Sequence, residues 1–171
     1  IKGTRGVGKT TFLLQYAKEK FGTDRSCLFI NMNNFYFSYF SIVDFAYEFQ
    51  RRGGKVLLID QVFKHPDWSR ELRMCYDRFP NLKIVFTGSS VMRLKEENLE
   101  LRDIVKSYNL RGFSFREYLN LQTGMKFRAY TLEEILSNHE QIAKGILSKV
   151  RPLDYLQDYL HHGCLLYTSD A

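Results

Sequence analysis

Short, unbroken apolar runs alternate along this chain with stretches in which apolar residues recur at helical spacing. Thr11–Phe21 carries its apolar residues on such a spacing and stops at Gly22, which suits a left-handed C-terminal cap. Ser26–Asn31 is a continuous apolar run, the pattern of a strand covered on both faces. The aromatic-rich segment Asn33–Phe40 follows, and then Ser41–Asp44 starts a helix in the manner of a capping box. That helix runs to Gln50 or Arg52, ahead of Gly53-Gly54. Because Phe45 and Phe49 repeat at helical spacing, the aromatics are assigned to core and loop packing in preference to base stacking. Lys55–Asp60 reads as a second buried strand. Asp67 is a candidate cap for a helix from Trp68 to Phe79, which Pro80 helps to end. Lys83–Thr87 predicts a further buried strand that runs into the small residues Gly88, Ser89 and Ser90. After a charged interval from Arg93 to Glu100, Ile104–Leu110 predicts another strand. Ser114 and Glu117 form a capping box for the next helix, and from Thr131 onward the pattern is helical, with breaks expected near Gly145 and Pro152. Strands alternating with helices define an α/β fold around a parallel sheet.

Composition narrows the class of protein. The 171 residues are 44% hydrophobic and 26% charged, as in an ordinary globular chain with room for about one domain. No apolar run approaches the roughly 20 residues that span a bilayer, and no leader peptide is recognisable, so a cytoplasmic location and no membrane partner are expected. With 25 Lys and Arg against 19 Asp and Glu, the net charge of +6 suits a nucleotide or a nucleic acid. The basic residues are scattered, which favours a solvated surface over a nucleic-acid stripe. Cys27 and Cys75 and the four histidines show no metal or triad spacing.

The clearest chemistry lies at the start. Gly3, Thr4, Arg5, Gly6, Val7, Gly8, Lys9 and Thr10 fit the phosphate-loop pattern, with Thr11 next to it at the start of the helix. Glycines let the backbone coil around a triphosphate so that successive N–H groups point at its oxygens. Lys9 reaches for the β- and γ-phosphates, and the Thr10 hydroxyl is a ligand for Mg²⁺. The expected amphipathic helix follows. The buried strand that ought to precede the loop is missing, because only Ile1 and Lys2 stand ahead of Gly3. An opened sheet and an unstable chain are expected from that gap.

Val56-Leu57-Leu58-Ile59-Asp60 is the second anchor, an apolar strand that delivers a carboxylate to the sheet edge holding the phosphate loop. There Asp60 can hold Mg²⁺ through water. Thr87 or Ser89, at the end of the next strand, stands where a sensor of the γ-phosphate or attacking water is expected. An ordinary turn and helix cap is the competing account of both residues.

Together, residues 3–11, Gly53-Gly54-Lys55, His65–Leu72, Ile84–Ser90 and Ser114–Leu119 resemble the prokaryotic AAA-type ATPases that join an N-terminal ATPase domain to a C-terminal domain of unknown function. The resemblance covers about residues 3–163. It implies a P-loop NTPase sheet ordered 5-1-4-3-2, ATP with Mg²⁺ as the ligand, and a C-terminal partner domain reached through a helical extension. On this reading residues 1–125 are the ATPase core and 126–163 the extension. Relatives read Asp-Glu-Val-His where this chain has Asp60-Gln61-Val62-Phe63, so the water-activating position carries Gln61. The arginine-bearing segment is also altered, leaving Arg102 as the candidate γ-phosphate arginine. Three functions stay open: an ATPase whose turnover moves the C-terminal domain, a nucleotide-dependent switch without hydrolysis, and a nucleic-acid-associated ATPase. Each admits an oligomer.

The last eight residues, Cys164–Ala171, resemble one translated frame of a transposase adapter used in sequencing libraries. Natural sequence is therefore expected to end near Gly163, in a gene fragment open at both ends.

Overall fold

A computed structural model describes residues 1–89 and 98–163. Ser90, most of the charged interval after it and the adapter-like tail lie outside the described residues. The chain forms two compact units, Ile1–Leu110 and Arg111 onward.

In the first unit, β3 (Val56–Asp60) is the axis. All five of its residues are buried, and its alternating side chains serve two cores. Leu57 and Ile59 join Ile42, Val43 and Ala46 of α2 (Ile42–Arg51) and Leu72 and Cys75 of α3 (Trp68–Arg78). On the opposite face Val56 and Leu58 pack with Leu13 and Tyr16 of α1 (Lys9–Lys20). Each fully buried aliphatic side chain of β3 contributes about 1.5–3 kcal/mol of transfer free energy, which is why an unbroken apolar run here makes a central strand.

The strands are parallel. β2 (Cys27–Asn31) pairs with β3, and β3 with β4 (Lys83–Phe86). At Thr87 the chain changes partner: the Thr87 N–H still donates to Ile59 O, whereas the Gly88 N–H donates to Ile1 O. Beyond it, β5 (Gly88–Ser89) pairs in parallel with β1 (Lys2–Gly3). Lys2 and Gly3, ahead of the loop, thus form a two-residue strand where none was expected. They lie between β5 and the Ile104–Leu110 segment, the central place that the 5-1-4-3-2 order assigns to them.

Ile104–Leu110 itself forms no strand. It makes one parallel bridge, Lys2 with Asn109, closed by bonds from Lys2 N–H to Tyr108 O and from Leu110 N–H to Lys2 O. A ladder is only as long as its partner, and β1 offers two residues. Upstream, Ile104 and Val105 belong to a turn and pack on the α2/α3 core, so their apolar character reflects burial without extended pairing. A groove of about 630 Å³ runs in line with β1, between Lys83–Phe86 and Ile104–Leu110, with Phe12 and Tyr16 also on its walls.

The aromatic segment divides. Phe37, in a 3₁₀ turn (Phe35–Ser38), is buried, while Phe35 and Tyr39 are 72% and 73% exposed and pack edge to face on one another. Asp67 starts α3 but is not its side-chain cap; it has φ 52°, and no cap hydrogen bond forms. Cys75 lies inside the core, where burial pushes its thiol up to about 12.

In the second unit, α4 (Phe115–Thr123) begins with the expected box. Ser114 Oγ accepts the Glu117 N–H, and Glu117 Oε2 accepts the Ser114 N–H. The Ser114 hydroxyl and N–H hold the Glu117 carboxyl below its usual range. This stabilisation is present above the ordinary glutamate pKa and lost as pH falls through the depressed one. Ser114→Ala should cost about 1 kcal/mol and flatten that acid dependence, as read by denaturant melts between neutral and acid pH. Next, α5 (Leu132–Leu147) runs through Gly145 without a break and kinks instead at Asn138, whose φ is −136°. One interior glycine costs about 1 kcal/mol in a helix, which the remaining turns absorb. Pro152 opens α6 (Leu153–Asp158).

Candidate functional site

The loop from Gly3 to Lys9 leaves β1 and becomes α1. Gly6 and Gly8 have φ of 86° and 90°, a region that disfavours any side chain. At Gly3 the constraint is proximity, since a Cβ there would collide with the carbonyl oxygen of Leu110. Val7 is buried and anchors the loop, while Thr4, Arg5 and Thr11 are exposed. Gly8 caps α1 with no side-chain hydrogen bond, and no acidic residue occupies the first turn. The first N–H groups of α1 and the positive end of its dipole therefore meet no acidic side chain from their own turn, which suits phosphate binding.

Lys9 Nζ donates to Gly3 O at 2.9 Å and to Thr4 O at 2.7 Å. Two of its three protons hold it against the loop's own backbone, and the third is available to a ligand. Burial lowers the Lys9 pKa, and Asp60 partly opposes that shift.

Asp60 is 1% exposed and, among the described residues, is met by three side-chain donors. Thr10 Oγ1 donates to Oδ2 at 2.8 Å, Asn31 Nδ2 donates to Oδ2 at 3.0 Å, and Thr87 Oγ1 donates to Oδ1 at 2.6 Å. A carboxylate has about four lone-pair positions, so room remains for one more donor such as a metal-bound water. With its proton given to Asp60, the Thr10 hydroxyl keeps its lone pairs for a cation. Hydroxyl and carboxylate oxygens suit Mg²⁺, which retains most of its waters and takes few protein ligands. The donor set therefore fits Mg²⁺ held together with nucleotide phosphates.

Thr87 is fully buried and uses its hydroxyl in both directions, donating to Asp60 and accepting the Gln61 N–H at 2.9 Å. Its carbonyl accepts the Val62 N–H. Gln61 is thereby held with φ 55° and ψ 46°, a left-handed conformation that costs a non-glycine residue roughly 1–2 kcal/mol. Ser89 lies in register beside Gly3, at the foot of the phosphate loop. Arg102 is exposed at the end of a 3₁₀ turn (Leu99–Leu101), and among the described residues it takes no part in the bonds joining Thr10, Asp60 and Thr87.

The structure thus brings together Lys9, Thr10, Asp60, Thr87 and the backbone of Gln61. It adds Asn31, which the sequence analysis passed over. A signal was present: Asn31 closes Cys27-Leu28-Phe29-Ile30 as Asp60 closes Val56-Leu57-Leu58-Ile59, and parallel pairing puts the two in register.

A glycine-rich loop opening a helix, beside the C-terminal ends of parallel strands one of which carries a buried aspartate, defines a P-loop nucleotide-binding domain. A family model described as an AAA domain matches residues 1–119. The chain belongs to that family of AAA-type ATPases. It is also 31% identical over 161 residues to an uncharacterised protein of Methanocaldococcus jannaschii, covering 88% of this chain and 33% of that protein. The chain spans about a third of that relative's length. No helix among the described residues is long and apolar enough to cross a membrane.

Proposed function

We propose that this domain binds Mg-ATP on the Gly3–Thr11 loop and hydrolyses it slowly, with the cycle coupled to movement of a C-terminal domain. The observation that carries the reading is the Thr10–Asp60 hydrogen bond, which fixes at one sheet edge the hydroxyl and the carboxylate needed beside a triphosphate. When bound, Mg²⁺ neutralises charge shared by the β- and γ-phosphates. The loop N–H groups and Lys9 hold the phosphates, Thr10 and Asp60 hold the metal and its water, and Gln61 orients the attacking water. Thr87 positions Asp60 and Gln61, because its one proton is already engaged by the carboxylate. Ser89, in register beside Gly3 at the foot of the loop, is the candidate for γ-phosphate contact, with Arg102 as the candidate arginine. The ATPase core is assigned to about residues 1–125 and a helical extension to 126–163.

Calorimetric titration is the direct test. ATP should bind in Mg²⁺ more tightly than in EDTA, and absence of binding at millimolar ATP would overturn the proposal. Gln61 favours one rival, a switch that cycles by binding and release alone, and single-turnover hydrolysis separates the two readings.

A further inference from the structure

Asn31 stands apart from the loop, the metal carboxylate and the sensor strand, yet it touches their shared centre. We propose that Asn31 is a positioning residue for the metal-binding carboxylate, fixing Asp60 Oδ2 through its amide so that Mg²⁺ bound with a nucleotide meets a preset oxygen. The inference rests on the Mg-ATP reading above and adds a residue outside the motifs that suggested it.

Its amide can sit only one way round. Asn31 Oδ1 accepts the Asn33 N–H at 2.8 Å, which leaves Nδ2 to donate to Asp60 Oδ2 at 3.0 Å. Asp60 is an acceptor and the Asn33 N–H a donor, so the opposite orientation would lose both bonds. The backbone reinforces this placement: Asn31 and Asp60 are paired across β2 and β3, and the Met32 N–H donates to Asp60 O at 3.0 Å. The two residues at the ends of these strands are therefore joined through both main chain and side chain.

The position of this bond gives it a role. Oδ2 also accepts the Thr10 hydroxyl, whose lone pairs are the other oxygen donor for the metal. With Asn31 and Thr10 on Oδ2 and Thr87 on Oδ1, the carboxylate cannot rotate without breaking a bond, two of them to the buried Thr87 and the half-buried Asn31. Groups that orient a metal-binding carboxylate typically change metal affinity by about 10- to 100-fold when removed. Nothing in the bond touches the loop N–H groups or Lys9, so phosphate binding without metal has no reason to change.

The test compares dissociation constants of a fluorescent ATP analogue in Mg²⁺ and in EDTA for the wild type, Asn31→Ala and Asn31→Ser. Serine can still accept the Asn33 N–H in a local turn but is too short to reach Asp60. Both variants should bind roughly tenfold more weakly in Mg²⁺ and unchanged in EDTA. If Asn31→Ala fails to fold, Asn31→Ser alone decides. Equal losses in the two buffers, a Mg²⁺-specific loss in Asn31→Ala but not in Asn31→Ser, or no loss at all would each overturn the inference. A wild type that binds the analogue in neither buffer overturns the Mg-ATP reading itself, an outcome visible before any variant is compared.

Discussion

Gln61→Glu is expected to raise the single-turnover rate of ATP hydrolysis at least tenfold, with ATP affinity little changed. The position follows Asp60 directly, and its backbone is pinned by the Thr87 hydroxyl, so the substitution changes the side chain's chemistry on a fixed main chain. Glutamate and glutamine have nearly the same shape. Only the carboxylate can take a proton from the attacking water, a contribution of general-base type worth about 10²- to 10⁴-fold. Glutamine can still orient the water, as it does in some GTPases, which is why slow turnover is expected and not none. Quench-flow or radiolabel assays under single-turnover conditions measure the rate. If the native protein already turns over at about 1 s⁻¹ or faster and glutamate adds nothing, another residue activates the water.

Lys9→Ala should weaken ATP binding by about ten- to a hundredfold, the loss expected for one hydrogen bond between charged partners at about 1.5–3 kcal/mol. Its ammonium is held by Gly3 O and Thr4 O, beside the neutral N–H groups of the loop. Removing it deletes an ammonium that keeps one proton in reserve beside the loop N–H groups. Those same bonds tie the loop to itself, so a thermal melt of the variant should accompany the titration. Unchanged affinity in a folded variant would remove Gly3–Thr10 from the phosphate site.

Much of this was legible in the chain because it depends on local rules. The glycines of the loop, the cap at Gly22, the box at Ser114 and the apolar run of β3 each follow from backbone sterics or from hydrogen bonds within a few residues. The phosphate loop and Asp60 were readable for the same reason, since spacing along one segment fixes their roles. What sequence could not decide was anything set by a partner distant along the chain. Ile104–Leu110 has the composition of a strand but shares only one bridge, because β1 gives it two residues to pair with. Asp67 has the chemistry of a cap but adopts φ 52° and makes no cap bond. Thr87 matched a sensor by position, and only packing beside β3 showed its hydroxyl already donated to Asp60. Asn31 became visible solely because parallel pairing brings residues 29 positions apart to 3.0 Å. Sequence determined the elements and the phosphate-binding loop; tertiary structure alone decided which polar groups share Asp60, because a buried carboxylate takes its donors from whichever strands and helices the sheet order places around it.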